Sequence, residues 1–141
     1  MRHLLVFATS AVFVALSSVH WYWALGGRLG RSSVIPSTAG VAHFSPSRTG
    51  TVLVAAALLL AAGTVVVAAE GSLAPVWRTI CSSAAVLLAA VLTLRAIGDT
   101  RHVGFFKQRN QSRFARLDTF LYSPLCVLLA GSIGHILWST P

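Results

Sequence analysis

Acid–base chemistry in this chain has few residues to work with, because the only carboxylates are Glu70, Asp99 and Asp118. Asp118 and Tyr122 stand four residues apart, and so do Arg95 and Asp99. On an α-helix that spacing brings two side chains to one face. Asp118 or Asp99 would serve as acid or base on a bound substrate, with Tyr122 and Arg95 as hydrogen-bond and charge partners. A plainer reading stands beside this one: an Asp at a helix N-terminus caps free N–H groups or pairs with an Arg. Arg95, about one turn from its helix end, can likewise snorkel to the headgroups.

The elements that must carry these residues are hydrophobic helices. The composition is 55% hydrophobic and 10% charged, with a mean hydropathy of +0.76. A soluble domain holds about 25% charged residues, so water cannot cover this surface and lipid must. Four windows, at residues 4–25, 51–69, 76–97 and 118–138, are long and apolar enough to span a bilayer; the charges within them are Arg95, Arg78 near the start of the third and Asp118 at the start of the fourth. Each approaches or exceeds the roughly 20 helical residues that cross about 30 Å of hydrocarbon. The expected fold is therefore all-α, a single four-transmembrane-helix bundle over residues 1–141. Runs of small residues, Ala55-Ala56-Ala57, Ser82-Ser83-Ala84-Ala85 and Ala130-Gly131-Ser132, would let the helices pack closely. Pro124 lies within the fourth window, removes an N–H and should distort the helix there.

The first window begins after Arg2, as a signal peptide would, but ends in His20-Trp21-Tyr22-Trp23. Bulky aromatics suit an interface belt better than a cleavage site, so it is read as a helix. The second connection, Glu70 to Pro75, is a tight hairpin. The first, residues 26–47, is rich in Gly, Ser and Pro, and the third, residues 99–117, is strongly basic. Loops of that length are where function concentrates.

Charge sets the orientation. Arg2 and Arg78 lie on the side of the termini, whereas Arg28, Arg31, Arg48, Arg101, Lys107, Arg109, Arg113 and Arg116 lie on the other. The positive-inside rule places the second group in the cytoplasm and both termini outside an inner (plasma) membrane. His20, Trp21, Tyr22, Arg95, Asp99, Asp118 and Tyr122 then gather at the four cytoplasmic helix ends. A cleft there would bind a lipophilic small molecule, with Arg95, Trp21, Tyr22 and His20 as ligand contacts and Asp118, Asp99 and Tyr122 as catalytic groups if the protein is an enzyme. A transporter is disfavoured, since no acidic residue lies mid-membrane. A homo-oligomer with a shared pathway would revive that option.

Other chemistries find little support. The basic third loop carries Phe105, Phe106 and Phe114, and beside a membrane anionic lipid headgroups are a better partner for it than nucleic acid. His20, His43 and His102 lack paired ligand spacing, so no metal is expected. Cys81 and Cys126 form no C-x-x-C pair and read as small apolar residues. No phosphate loop or other cofactor motif occurs.

Several blocks resemble a family of short bacterial four-helix membrane proteins of unknown function. They are Trp23-Ala24-Leu25-Gly26-Gly27, Ile35-Pro36, Arg95-Ala96-Ile97-Gly98-Asp99, Val103-Gly104-Phe105-Phe106-Lys107, Phe114-Ala115-Arg116-Leu117-Asp118-Thr119 and Tyr122-Ser123-Pro124-Leu125. The resemblance implies the same topology, and implies that Arg95, Asp99, Asp118, Tyr122 and Pro124 belong to the family pattern. It implies no activity. A single lysine among eleven basic residues is the bias of a GC-rich bacterial genome.

Overall fold

The computed structural model describes residues 1–30, 37–38, 41–42, 46–70, 73–98, 104–106 and 113–140. Three long helices come first: α1 (Arg2–Ala24), α2 (Arg48–Ala68) and α3 (Pro75–Ile97). The fourth span is composite. It joins a short helix α4 (Arg113–Leu117), a π turn (Asp118–Tyr122) and α5 (Ser123–Trp138). Four helices are long and apolar enough to cross a membrane, the last running from Phe114 to Trp138. In the first loop, Ser37–Thr38 pairs antiparallel with Val41–Ala42 over two residues each.

Local chemistry sets the helix ends. Ser47 caps α2, its hydroxyl accepting from the Gly50 N–H at 3.0 Å. Pro75 occupies the first turn of α3, where its missing N–H costs nothing. Gly98 stops α3 with φ +73°, a left-handed conformation that glycine adopts freely. The fourth span begins about five residues before the expected 118, because Arg113 and Arg116 are good helix formers. A charge near a helix end need not lie in hydrocarbon, so it does not terminate the helix.

The spans close into a ring. α1 packs along α2, α3 along α5, and lesser contacts join α2 to α3 and α1 to α5. The α1–α2 seam has the character expected of helices associating in lipid: small residues and interhelical hydrogen bonds. Ser17 Oγ donates to the Ala55 carbonyl at 2.7 Å and Ser10 Oγ to that of Ala62 at 3.3 Å. Phe13, Ala55 and Val65 are fully buried beside them. Ala85 on α3 is equally enclosed, and Leu129, Ile133 and Ile136 supply the face of α5. The Ala130-Gly131-Ser132 run does not behave as expected. Gly131 is exposed and a Cβ there would meet nothing within 4 Å, because large residues on the opposite face of α5 make the contact.

Large side chains cover the outside, among them Leu4, Phe7, Leu60, Leu87, Leu94, Phe120 and Leu128. Helices that are apolar on all faces need a lipid solvent. At one end Arg2 Nη1 donates to the Ser139 carbonyl at 3.4 Å, tying the two termini together. The other end holds the C-termini of α1 and α3, the N-terminus of α2 and the start of the fourth span. That is the end to which most of the candidate site residues belong.

Candidate functional site

The centre of this end is an ion pair between α3 and the fourth span. Arg95, in the last turn of α3, directs Nη2 to Asp118 Oδ1 at 2.7 Å. The Asp118 side chain is 0% exposed and that of Arg95 is 35% exposed. Arg95 therefore sits at the edge of the seam and Asp118 inside it. The second carboxylate oxygen, Oδ2, accepts from the Gly104 N–H at 2.7 Å. The Asp118 carboxylate thus accepts from Arg95 and Gly104 at once, tying α3, the fourth span and the loop residue Gly104.

Gly104 and Phe105 lie back against the end of α3. After Gly98 ends α3, the Phe105 N–H donates to the Ala96 carbonyl at 2.9 Å, within the last turn of the same helix. Gly104, beside it, has φ +88°. A Cβ on Gly104 would collide with the Ile97 carbonyl oxygen and with the backbone of Gly98. Both the dihedral and the close approach require glycine here.

The π turn changes which residue accompanies Asp118. The Ser123 N–H donates to the Asp118 carbonyl, a bond to the fifth residue on instead of the fourth. Ser123 closes the wider turn that begins at Asp118, and it is fully buried. The four-residue spacing on which the pairing of Asp118 with Tyr122 rested assumes an uninterrupted α-helix, and the π turn removes that assumption. Tyr122 is half-buried, with its ring tilted by 41° against Phe114 at a centroid separation of 6.4 Å. Pro124 follows at the start of α5. The distortion expected at this proline takes the form of the π turn just before it.

Two buried polar atoms, one on α3 and one at the start of α5, have no hydrogen-bond partner among the described residues: Arg95 Nη1 and Ser123 Oγ. Nη1 belongs to the guanidinium whose Nη2 holds Asp118. Cys126, half-buried, lies three residues beyond Ser123 on α5.

The aromatic residues of α1 are engaged within their own helix end. His20 Nδ1 donates to the Leu16 carbonyl at 2.8 Å, and its ring meets Trp23 edge-on with centroids 5.0 Å apart. Trp23 Nε1 donates to the Leu29 carbonyl at 2.8 Å, and the Tyr22 hydroxyl accepts from the Leu29 N–H at 3.4 Å. Gly27 lies so close under the Tyr22 ring that a Cβ would strike it. Trp21 and Tyr22 are exposed, as an interface belt requires. The interactions described for His20, Tyr22 and Trp23 close the turn after α1 and do not join these residues to Arg95.

Asp99 lies outside the described residues, as do His43, His102, Arg101, Lys107 and Arg109. Among the described residues no three of His, Cys, Asp and Glu come together. Gly104 and Ser123 were not singled out by spacing or charge. Both do lie in the blocks Val103-Gly104-Phe105-Phe106-Lys107 and Tyr122-Ser123-Pro124-Leu125, which carry the family resemblance.

Comparison with curated proteins and with solved structures found no match in either case. A family model does match, over residues 13–133, which takes in the second and third spans whole and most of the fourth, and the second half of the first. The chain belongs to the family described as protein of unknown function (DUF3995).

Proposed function

We propose that this multi-pass membrane protein binds a lipophilic or small amphipathic molecule at the end of the bundle where α3 meets the fourth span. The observation that supports this reading is the state of Arg95. Asp118 holds one nitrogen of its guanidinium, while the buried Nη1 lacks a partner among the described residues. An unsatisfied buried donor costs about 1–3 kcal/mol, and polar groups retained in lipid-facing proteins mark ligand sites by default. Exposed apolar side chains on the adjoining turns, Leu94 on α3 and Leu121 on the fourth span, offer a surface for an acyl or isoprenoid chain. The distribution of arginines supports a cytoplasmic location for this end in an inner (plasma) membrane. The basic third loop would then adhere to anionic headgroups.

Proton-transfer catalysis by Asp118 is the less favoured reading. Both carboxylate oxygens already accept hydrogen bonds, from Arg95 and from Gly104.

The test is mass spectrometry of small molecules that co-purify in nanodiscs, with wild type set against Arg95→Lys. Lysine keeps a cation for Asp118 but lacks the second nitrogen of the fork. A molecule retained by the wild type and lost from a folded variant is the expected outcome. Bulk lipid alone in both proteins would remove the reading.

A further inference from the structure

The chain leaves α1 through a turn that closes its own backbone. The Gly27 N–H donates to the Tyr22 carbonyl at 2.9 Å and the Gly26 N–H to that of Trp23 at 3.1 Å, with Gly26 at φ +101°. These two bonds form a Schellman motif, which satisfies carbonyls that a helix end leaves open. Leu29, beyond the motif, is held from both sides. Its N–H donates to the Tyr22 hydroxyl at 3.4 Å, and its carbonyl accepts from Trp23 Nε1 at 2.8 Å. The polar tips of two aromatics thus serve the backbone of one loop residue.

The side chains of this turn do not suit water. Leu25 is 76% exposed and Leu29 is 80% exposed. A loop in water can leave its backbone groups to the solvent, whereas backbone in lipid must close its hydrogen bonds within the protein. An exposed leucine with both its N–H and its carbonyl engaged matches the second case. Depth agrees. The 23 residues of α1 extend roughly 34 Å, just beyond about 30 Å of hydrocarbon. Its last turn therefore lies at the boundary, and the bonds to Tyr22 and Trp23 keep Leu29 beside that turn instead of farther out.

Charge points to the kind of lipid. Arg28 stands between the two leucines in sequence and is exposed, as are Arg48 and Arg116 at the same end of the bundle, whereas Asp118 is buried. Among the described residues, the exposed charge of this end is positive, which favours anionic headgroups. An arginine stem can lie along apolar surface while its head reaches a phosphate.

We propose that the turn at residues 25–30 is a membrane-inserted hook, with Leu25 and Leu29 among acyl chains at the headgroup boundary and Arg28 on the phosphate of an anionic phospholipid. Tyr22 and Trp23 clamp it there. The hook follows from the four spans and is independent of the ligand proposed at Arg95.

Spin labelling of the full chain in vesicles tests this. Single cysteines for labelling are introduced as Leu29→Cys, with Leu94→Cys as the lipid reference and Glu70→Cys as the water reference, in a Cys81→Ala/Cys126→Ala background. Accessibility to oxygen, which concentrates in lipid, is set against accessibility to a neutral nickel chelate, which stays in water. In mixed phosphatidylcholine and phosphatidylglycerol, the label at position 29 should resemble the one at position 94. Resemblance to the label at position 70 would overturn insertion. Tyr22→Phe/Trp23→Phe removes both polar tips and should raise nickel accessibility at position 29 several-fold; no change would overturn the clamp. In phosphatidylcholine alone the label should move toward water, and Arg28→Gln should abolish this dependence on lipid charge. Equal depth in both vesicles, or a dependence that survives Arg28→Gln, would overturn the phosphate contact while leaving insertion in place. In unlabelled wild type, the Leu29 amide should exchange hydrogen at least about tenfold more slowly than in an unfolded chain. An unfolded-chain rate there would overturn the clamp even if the cysteine-free background fails to fold.

Discussion

Arg95 Nη2 and Asp118 Oδ1 are 2.7 Å apart, although 23 residues of chain separate the two. One carboxylate thereby joins the end of α3, the start of the fourth span and, through Gly104, the loop between them. Removing Arg95 leaves a fully buried carboxylate, and removing the carboxylate charge leaves a partly exposed guanidinium without its partner.

Asp118→Asn should therefore destabilise the protein by roughly 3 kcal/mol, the low end for breaking a buried pair because Arg95 is partly exposed. Reversible unfolding in mixed micelles measures this directly. The double variant Arg95→Leu/Asp118→Leu should recover much of the loss, since an apolar pair in place of a buried ion pair is often tolerated. An Asp118→Asn protein as stable as wild type would show that the pair does not hold the helices.

Gly104→Ala should cost at least about 2 kcal/mol, because it combines an unfavourable φ of +88° with a backbone collision. Gly131→Ala is the control: its Cβ meets nothing within 4 Å, and alanine favours the helix. Unfolding midpoints of the two variants should move in opposite directions or differ by several degrees.

Two serines test whether hydrogen-bond partners control stability. Ser17 Oγ reaches the Ala55 carbonyl across the α1–α2 seam, so Ser17→Ala should lose about 1 kcal/mol. Ser123→Ala should be neutral or stabilising in the absence of ligand, since it removes an unsatisfied buried hydroxyl. Loss of stability at Ser123 in ligand-free protein would mean that its hydroxyl contributes to the fold.

Orientation can be read with reporters. Alkaline phosphatase fused after Pro141 should be active, and a fluorescent protein fused there after export through the general secretory route should stay dark. Reversed signals would place the basic loops outside the cell. They would also remove the proposed contact with cytoplasmic anionic lipid.

The four spans were legible in the chain because membrane insertion is decided segment by segment. About 20 apolar residues suffice wherever they occur, and backbone groups in lipid must close their hydrogen bonds within the helix. Residue type alone also marked Trp21 and Tyr22 as candidates for an interface belt, and both are exposed. The site was only partly legible. Arg95 and Asp118 stood out as charges near helix ends, but their partnership required α3 to pack on the fourth span. Gly104 gave no signal through charge, since its role depends on the chain turning back over Ile97. The π turn between Asp118 and Ser123 gave no signal in the four-residue spacing, because it inserts one residue into the helical repeat. Hydropathy determined where the helices run, while the tertiary structure decided which polar groups meet, because a hydrogen bond needs placement within tenths of an ångström that a periodic pattern does not specify.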